Sequence, residues 1–162
     1  MNFQMKELIK RVDKFEYVSF DMFDTLIKRN VKNPKDIFTL MQLHYRNKNI
    51  DIINSFREKR VAAEKRAREL SIKEEITLDE IYEQLIENYS AELVADLKNL
   101  EIQTELEVCV ANPDMASVYK YCLKRGKKIL IISDIYLPLD VLREILRKNG
   151  IDHYDKLYFS SE

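Results

Sequence analysis

Two cysteines, two glycines and three prolines are all that 162 residues hold of the types that staple or punctuate a chain. Cys109 and Cys122 form no CxxC pair, and each reads as a buried, reduced, cytosolic thiol. Gly126 and Gly150 both sit where a helical pattern runs out, the place for a residue with left-handed backbone. No apolar run approaches the ~18–20 residues of a membrane span, and the amino terminus has no signal-peptide core. His44 and His153 lack metal-ligand spacing and read as surface or packing residues. Charge of neither sign prevails: 27 basic against 28 acidic residues leave a formal net charge of −1. That balance argues against a nucleic-acid footprint and a membrane-seeking face. Repeats, linkers and low-complexity stretches are missing too. What remains is the expectation of a soluble, cytoplasmic protein: one ordinary domain, or a small core plus an insertion.

What is present is a helical pattern interrupted by a few strand-like runs. Met5, Leu8, Ile9 and Val12 give 1–14 the spacing of a short amphipathic helix, and a strand follows over about 16–21. After Leu26 the pattern stays helical for some eighty residues. Asn33-Pro34 reads as a helix start leading into Ile37, Leu40, Met41 and His44. Ile53, Phe56, Arg60, Ala63, Ala67 and Leu70 share the stripe of a second helix. Thr77 and Glu80 make a capping box before Leu78, Ile81, Tyr82, Leu85 and Tyr89. Ser90 caps a fourth helix, with Leu93, Leu97, Leu100 and Thr104 inward. Asn112-Pro113 repeats the cap-and-proline start, for a helix burying Met115, Val118, Tyr119, Cys122 and Leu123. Strands are expected at 128–133 and 156–160, around a helix carrying Leu142, Ile145 and Leu146.

Two of the strand-like runs end in chemistry. Tyr17-Val18-Ser19-Phe20 leads into Asp21, and Lys128-Ile129-Leu130-Ile131-Ile132 leads into Ser133-Asp134. In an open α/β sheet, ligands lie beyond the carboxyl ends of the strands. Neighbouring strands are roughly 5 Å apart. If these two are neighbours, a carboxylate nucleophile and a phosphate-binding hydroxyl face one pocket.

Asp21-Met22-Phe23-Asp24-Thr25-Leu26 resembles the first motif of the haloacid dehalogenase-like hydrolases, and Ile131-Ile132-Ser133-Asp134 resembles the second. Ser133-Asp134-Ile135-Tyr136-Leu137-Pro138 and the Arg/Glu-rich stretch 57–69 are similar to predicted hydrolases of that superfamily associated with bacterial surface-polysaccharide glycosyltransferases. The resemblance implies an α/β fold: a Rossmann-like parallel core from residues 1–30 and 110–162, with an all-helical cap, 31–109, inserted after the first motif. It also implies a Mg²⁺-dependent phosphatase that acts on a phosphorylated small molecule, a sugar phosphate by analogy, through an aspartyl-phosphate.

Site residues follow by the same resemblance. Asp21 would attack phosphorus and hold Mg²⁺, and Phe23 would give the metal its backbone carbonyl. Thr25, Ser133 and Asp134 would bind substrate. Phosphatases of the superfamily carry a general acid two residues after the nucleophile; here that slot is Phe23, and the acid is Asp24. Asp24 is the candidate for proton transfer, with a turn role the alternative. Arg60 falls on an apolar stripe, where an isolated charge is expensive. Either it joins an ion-pair network with Glu64, Glu101 or Glu105, or it grips an anionic substrate group, with Arg57 and Arg68 flanking.

The superfamily's third-motif lysine and fourth-motif acids lie downstream of a third strand, and the sequence ends at Glu162; Lys156 precedes that strand. The expectation is therefore the amino-terminal portion of a longer hydrolase, or a reduced member, weak or inactive alone. It would self-associate through an open sheet edge. The alternatives are a non-catalytic module for a phospho-ligand or partner protein, and a metal-free dehalogenase using the same nucleophile.

Overall fold

A computed structural model of the chain describes residues 3–46, 55–73 and 75–160. Helix α1 (Phe3–Val12) leads into strand β1 (Tyr17–Asp21), and a short strand β2 (Ile27–Arg29) follows. Four helices come next: α2 (Asp36–Arg46), α3 (Phe56–Leu70), α4 (Leu78–Glu83) and α5 (Ala91–Val108). The chain returns through β3 (Cys109–Ala111) to α6 (Pro113–Lys124), β4 (Lys128–Ser133), α7 (Leu139–Lys148) and β5 (Lys156–Phe159).

Strands β1, β4 and β5 form one parallel sheet in the order β1-β4-β5, with Phe20 opposite Ile131 and Ile132 opposite Tyr158. This is an α/β fold with a Rossmann-like parallel core. The pleat sorts the side chains. Phe20, Ile129 and Ile131 are buried on one face. There α6 packs against β4 and α1 against α6, and Phe20 meets Tyr119 edge to face. Burying such side chains is worth about 1.5–3 kcal/mol each. The other face carries Tyr17, Ile132 and Tyr158, which are 60%, 47% and 50% exposed.

The second sheet is β2 paired antiparallel with β3, Ile27 opposite Ala111 and Arg29 opposite Cys109. Neither strand shows in the sequence, because three residues are too few to display a period of two. Helices α2 to α5 lie between these strands in the chain and pack on one another: α2 on α3 and α5, α4 on α3 and α5. Among the described residues, 34–108 contain no strand.

Several local expectations are corrected. Asn33 caps the turn that runs into α2, its Oδ1 accepting from the Lys35 amide and its own amide donating to the Asp36 carboxylate, but the regular helix begins only at Asp36, two residues later than expected. Asn112 and Pro113 do start α6, as its cap position and first residue, though the Asn112 side chain makes no cap bond and reaches back to the Thr25 carbonyl instead. Leu40, Leu70 and Leu123 are exposed rather than inward. Ile53 lies outside the described residues. The Thr77–Glu80 capping box forms as read, Ser90 caps α5 through the Leu93 amide, and Gly126 and Gly150 take positive φ. No described helix is long and apolar enough to cross a membrane.

Candidate active site

Asp21 is the last residue of β1 and exposed, at the carboxyl end of the parallel sheet. The turn that follows folds back on it. Thr25 Oγ1 donates to Asp21 Oδ2 at 2.9 Å, and the Leu26 amide donates to the Asp21 carbonyl at 3.4 Å. Asp24 has φ of 58°, left-handed backbone that a residue with a Cβ adopts only when its surroundings demand it. Asn112, itself buried, supplies part of that demand: its side chain donates to the Thr25 carbonyl at 2.8 Å and its amide to the Leu26 carbonyl at 2.8 Å.

Ser133 ends β4, and its neighbours are the ends of β1 and β5. The two motif residues therefore meet at adjacent strand ends, but not on one face. Asp21 pairs with Ile132, so Ser133 stands one residue further along. Alternation then roots the two side chains on opposite faces of the pleat. Burial agrees, since Asp21 is exposed and Ser133 is 2% exposed. The Ser133 hydroxyl makes no hydrogen bond within the protein. Asp134 is exposed and accepts from Ser160 Oγ at 2.9 Å.

Arg60 does not reach this end of the sheet as a substrate grip. It is fully buried, its fork on Glu101 with two bonds of 2.8 Å, and a third goes to Glu64 at 3.2 Å. Its guanidinium lies over the rings of Phe38, Tyr82 and Tyr136. Tyr82 also donates to Glu101, at 2.8 Å. Burial alone would lower the Arg60 pKa, but Glu101 and its hydrogen bonds raise it well above the ordinary value. Burial, with the nearby Glu101 charge, pushes the Tyr82 and Tyr136 phenols up. Arg57 pairs with Asp36, and Arg68 with Glu64 and Glu75.

The residue that sequence reasoning missed is Arg29. Its Nε and Nη2 clamp both oxygens of buried Glu105 at 2.8–3.1 Å, and its Cζ lies 4.4 Å from the centre of the Phe23 ring. One signal pointed there: Glu105 falls one turn from Glu101 on the inward side of α5, and a buried carboxylate needs its own cation. A cavity of about 210 Å³ opens beside this pair, lined by Arg29, Lys35, Phe38, Glu64, Glu105 and Tyr136.

Neither cysteine offers a nucleophile. Burial, then the Glu105 charge, pushes the Cys109 thiol up to about 12, and burial also raises Cys122. His44 and His153 are exposed. Among the described residues no group of three or more His, Cys, Asp or Glu side chains could hold a metal ion. Mg²⁺ often rests on one or two carboxylates, water and substrate phosphate, and for that mode Asp21 and the Phe23 carbonyl are suitable donors.

Solved structures share this architecture. The chain superposes on a haloacid dehalogenase-like family hydrolase from Xanthomonas campestris with a TM-score of 0.57 and 13% identity, over 91% of this chain and 62% of that one. A predicted phosphoglycolate phosphatase from Haemophilus somnus gives a TM-score of 0.50 and 12% identity, over 91% and 63%. The chain spans less than two thirds of the length of either protein. No family model matches the sequence, and no curated protein matches it significantly. The likeness establishes the haloacid dehalogenase-like fold.

Proposed function

We propose that this chain is the nucleophile-bearing portion of a haloacid dehalogenase-like phosphatase acting on a phosphorylated small molecule. The observation that carries this reading is Ser133: a buried hydroxyl without a hydrogen bond in the protein, one strand over from an exposed carboxylate at the same end of the sheet. Buried hydroxyls nearly always have partners, and an oxygen of a phosphoryl group across the strand ends would supply one.

In this mechanism an Asp21 carboxylate oxygen attacks phosphorus and the bond from phosphorus to the leaving oxygen breaks. The leaving oxygen takes a proton, then water attacks the aspartyl-phosphate to release phosphate and restore Asp21. Thr25 orients the carboxylate by donating to one of its oxygens, leaving the other for attack. Mg²⁺ brought with the phosphate, on Asp21 and the Phe23 carbonyl, would offset the repulsion between carboxylate and phosphate. Asp24 is the available acid, but its left-handed backbone directs its side chain differently from an acid at the Phe23 position. Proton transfer by a positioned acid is typically worth ~10²–10⁴ in rate, so turnover by this chain alone is slow. The helices α2 to α5 serve as the cap, and the cavity beside Arg29 has room for a leaving group the size of a monosaccharide, the basis for a sugar phosphate.

The test is acid trapping. The chain is incubated with Mg²⁺ and an aryl phosphate, quenched, and its peptides are weighed. Modification of the peptide containing Asp21, with slow phosphate release that Asp21→Asn abolishes, is expected. Release that survives Asp21→Asn overturns the mechanism. The acid displaced from the Phe23 position to Asp24 favours one other reading, a module that binds phospho-ligands without turning them over; phosphate binding with no trapped adduct would select it.

A further inference from the structure

The chain passes between the sheet and helices α2–α5 at two places, β2 and β3, and these are tied to each other. Besides their ladder, the Asn30 amide donates to the Val108 carbonyl at 2.8 Å. Arg29, at the end of β2, is the side chain that joins this crossing to two other parts of the molecule. Its fork holds Glu105 near the end of α5, and its face covers Phe23, two residues past Asp21. A guanidinium can do both at once, because its edge donates hydrogen bonds while its plane stacks; an ammonium cannot. Glu105 sits one turn from Glu101, which holds Arg60 of α3, so a single helix anchors both arginines. A buried ion pair alone is weak evidence for a role. The contact on Phe23 adds what the pair lacks, because the turn beneath it is strained at Asp24 and needs fixing from outside. Asn112 fixes that turn at Thr25 and Leu26. Arg29 fixes it at Phe23.

We infer that Arg29 is a positioning residue, coupling the last helix of the cap to the turn that orients Asp21, through Glu105 on one side and Phe23 on the other. Its importance to reaction rests on Asp21 being the reacting group; the coupling itself does not. The cavity lined by Arg29 and Glu105 shares this wall, so a group bound there touches the coupling directly.

Amide hydrogen exchange on the unliganded chain tests it. The reporters are Leu26 and Ile27, whose amides close the turn on the Asp21 and Met22 carbonyls. Controls are Asp155, whose amide bonds to the Ile129 carbonyl of β4 just before β5, and Leu85 among the helices. Arg29→Lys should speed exchange at both reporters by about tenfold or more while the controls hold, a local opening. Phe23→Leu should do the same, Phe23→Tyr should not, and the Arg29→Lys/Phe23→Leu pair should add little, as expected for residues in one contact. Unchanged reporters in Arg29→Lys, or a rise shared equally by the controls, overturns the inference. If Arg29→Lys does not fold, equal exchange in Phe23→Leu and Phe23→Tyr overturns it alone. Beryllofluoride with Mg²⁺, a phosphoryl mimic, then links the turn to the site: Arg29→Lys should weaken its binding about tenfold. Failure of the wild-type chain to bind it would count against the role of Asp21 and leave the exchange result to decide the coupling.

Discussion

Ser133 and Arg60 are both buried and polar, yet they stand in opposite relations to the fold. The Ser133 hydroxyl has no hydrogen bond, whereas the Arg60 guanidinium is held by two carboxylates and lies over three rings. Removing an unpaired buried hydroxyl, so that only a methyl group remains, relieves a desolvation penalty of ~1–3 kcal/mol. Ser133→Ala should therefore melt no lower than the wild-type chain while binding inorganic phosphate at least tenfold more weakly. A lower melting temperature with unchanged phosphate affinity would show that the hydroxyl is structural. For the arginine the expectation is reversed. Arg60→Met strands Glu101 in the interior and should cost ~3–5 kcal/mol, measured by urea unfolding. Arg60→Met/Glu101→Met should recover much of it, because no charge is left unpaired. Cys109 gives a pH prediction. Its folded pKa, pushed up to about 12 from 9.0, means the folded state keeps a proton that the unfolded chain gives up. Its contribution is whole below pH 9 and is lost as pH rises from 9 towards 12. Stability should fall across that window, less steeply in Cys109→Ala, by denaturant melts at several pH values.

Legibility at the scale of elements depended on where each one stores its information. The capping box of α4 is local, two residues three apart, and it was readable at Thr77 and Glu80. Strands β1 and β4 carry apolar runs long enough to declare themselves, and so do their terminal Asp21 and Ser133. The facing of those side chains was not readable, because it depends on register, and Asp21 pairs with Ile132 rather than Ser133. Strands β2 and β3 are three residues each and exist only because they pair across the 79 residues between them. Asn112 shows the same limit. Beside Pro113 it has the local signature of a helix cap, but the nearest need for a donor is the Thr25 carbonyl, 87 positions away. Arg60 was visible as a misplaced charge; that it would end on Glu101, with Glu105 left for Arg29, depends on the packing of three elements.

Parallel sheets are ordinarily covered on both faces, and among the described residues this one is covered on one. Tyr17, Ile132 and Tyr158 stand about half exposed on the other, in the rows that also hold Lys128, Lys156 and Asp21. The outer edge of β1 is unpaired among the described residues as well. The Met22 amide bonds to the Ile132 carbonyl, so the ladder's period of two turns the amides of Phe20 and Val18 toward β4 as well. The amides of Tyr17, Ser19 and Asp21 then point outward, a row open to pairing. The chain in solution should consequently self-associate, with an apparent mass by sedimentation that rises with concentration. Edge and face make separable contributions. Ser19→Pro removes an outward amide without touching the bond to β4, since proline is tolerated on the free side of an edge strand. Ile132→Lys places a charge on the bare face without altering the edge. If pairing runs through the edge, Ser19→Pro should yield monomer while Ile132→Lys still associates; if the face dominates, the order reverses. A chain that sediments as a monomer at every concentration would mean that half-exposed Tyr17, Ile132 and Tyr158 are tolerated in water, and that the edge is blunted by the charges around it.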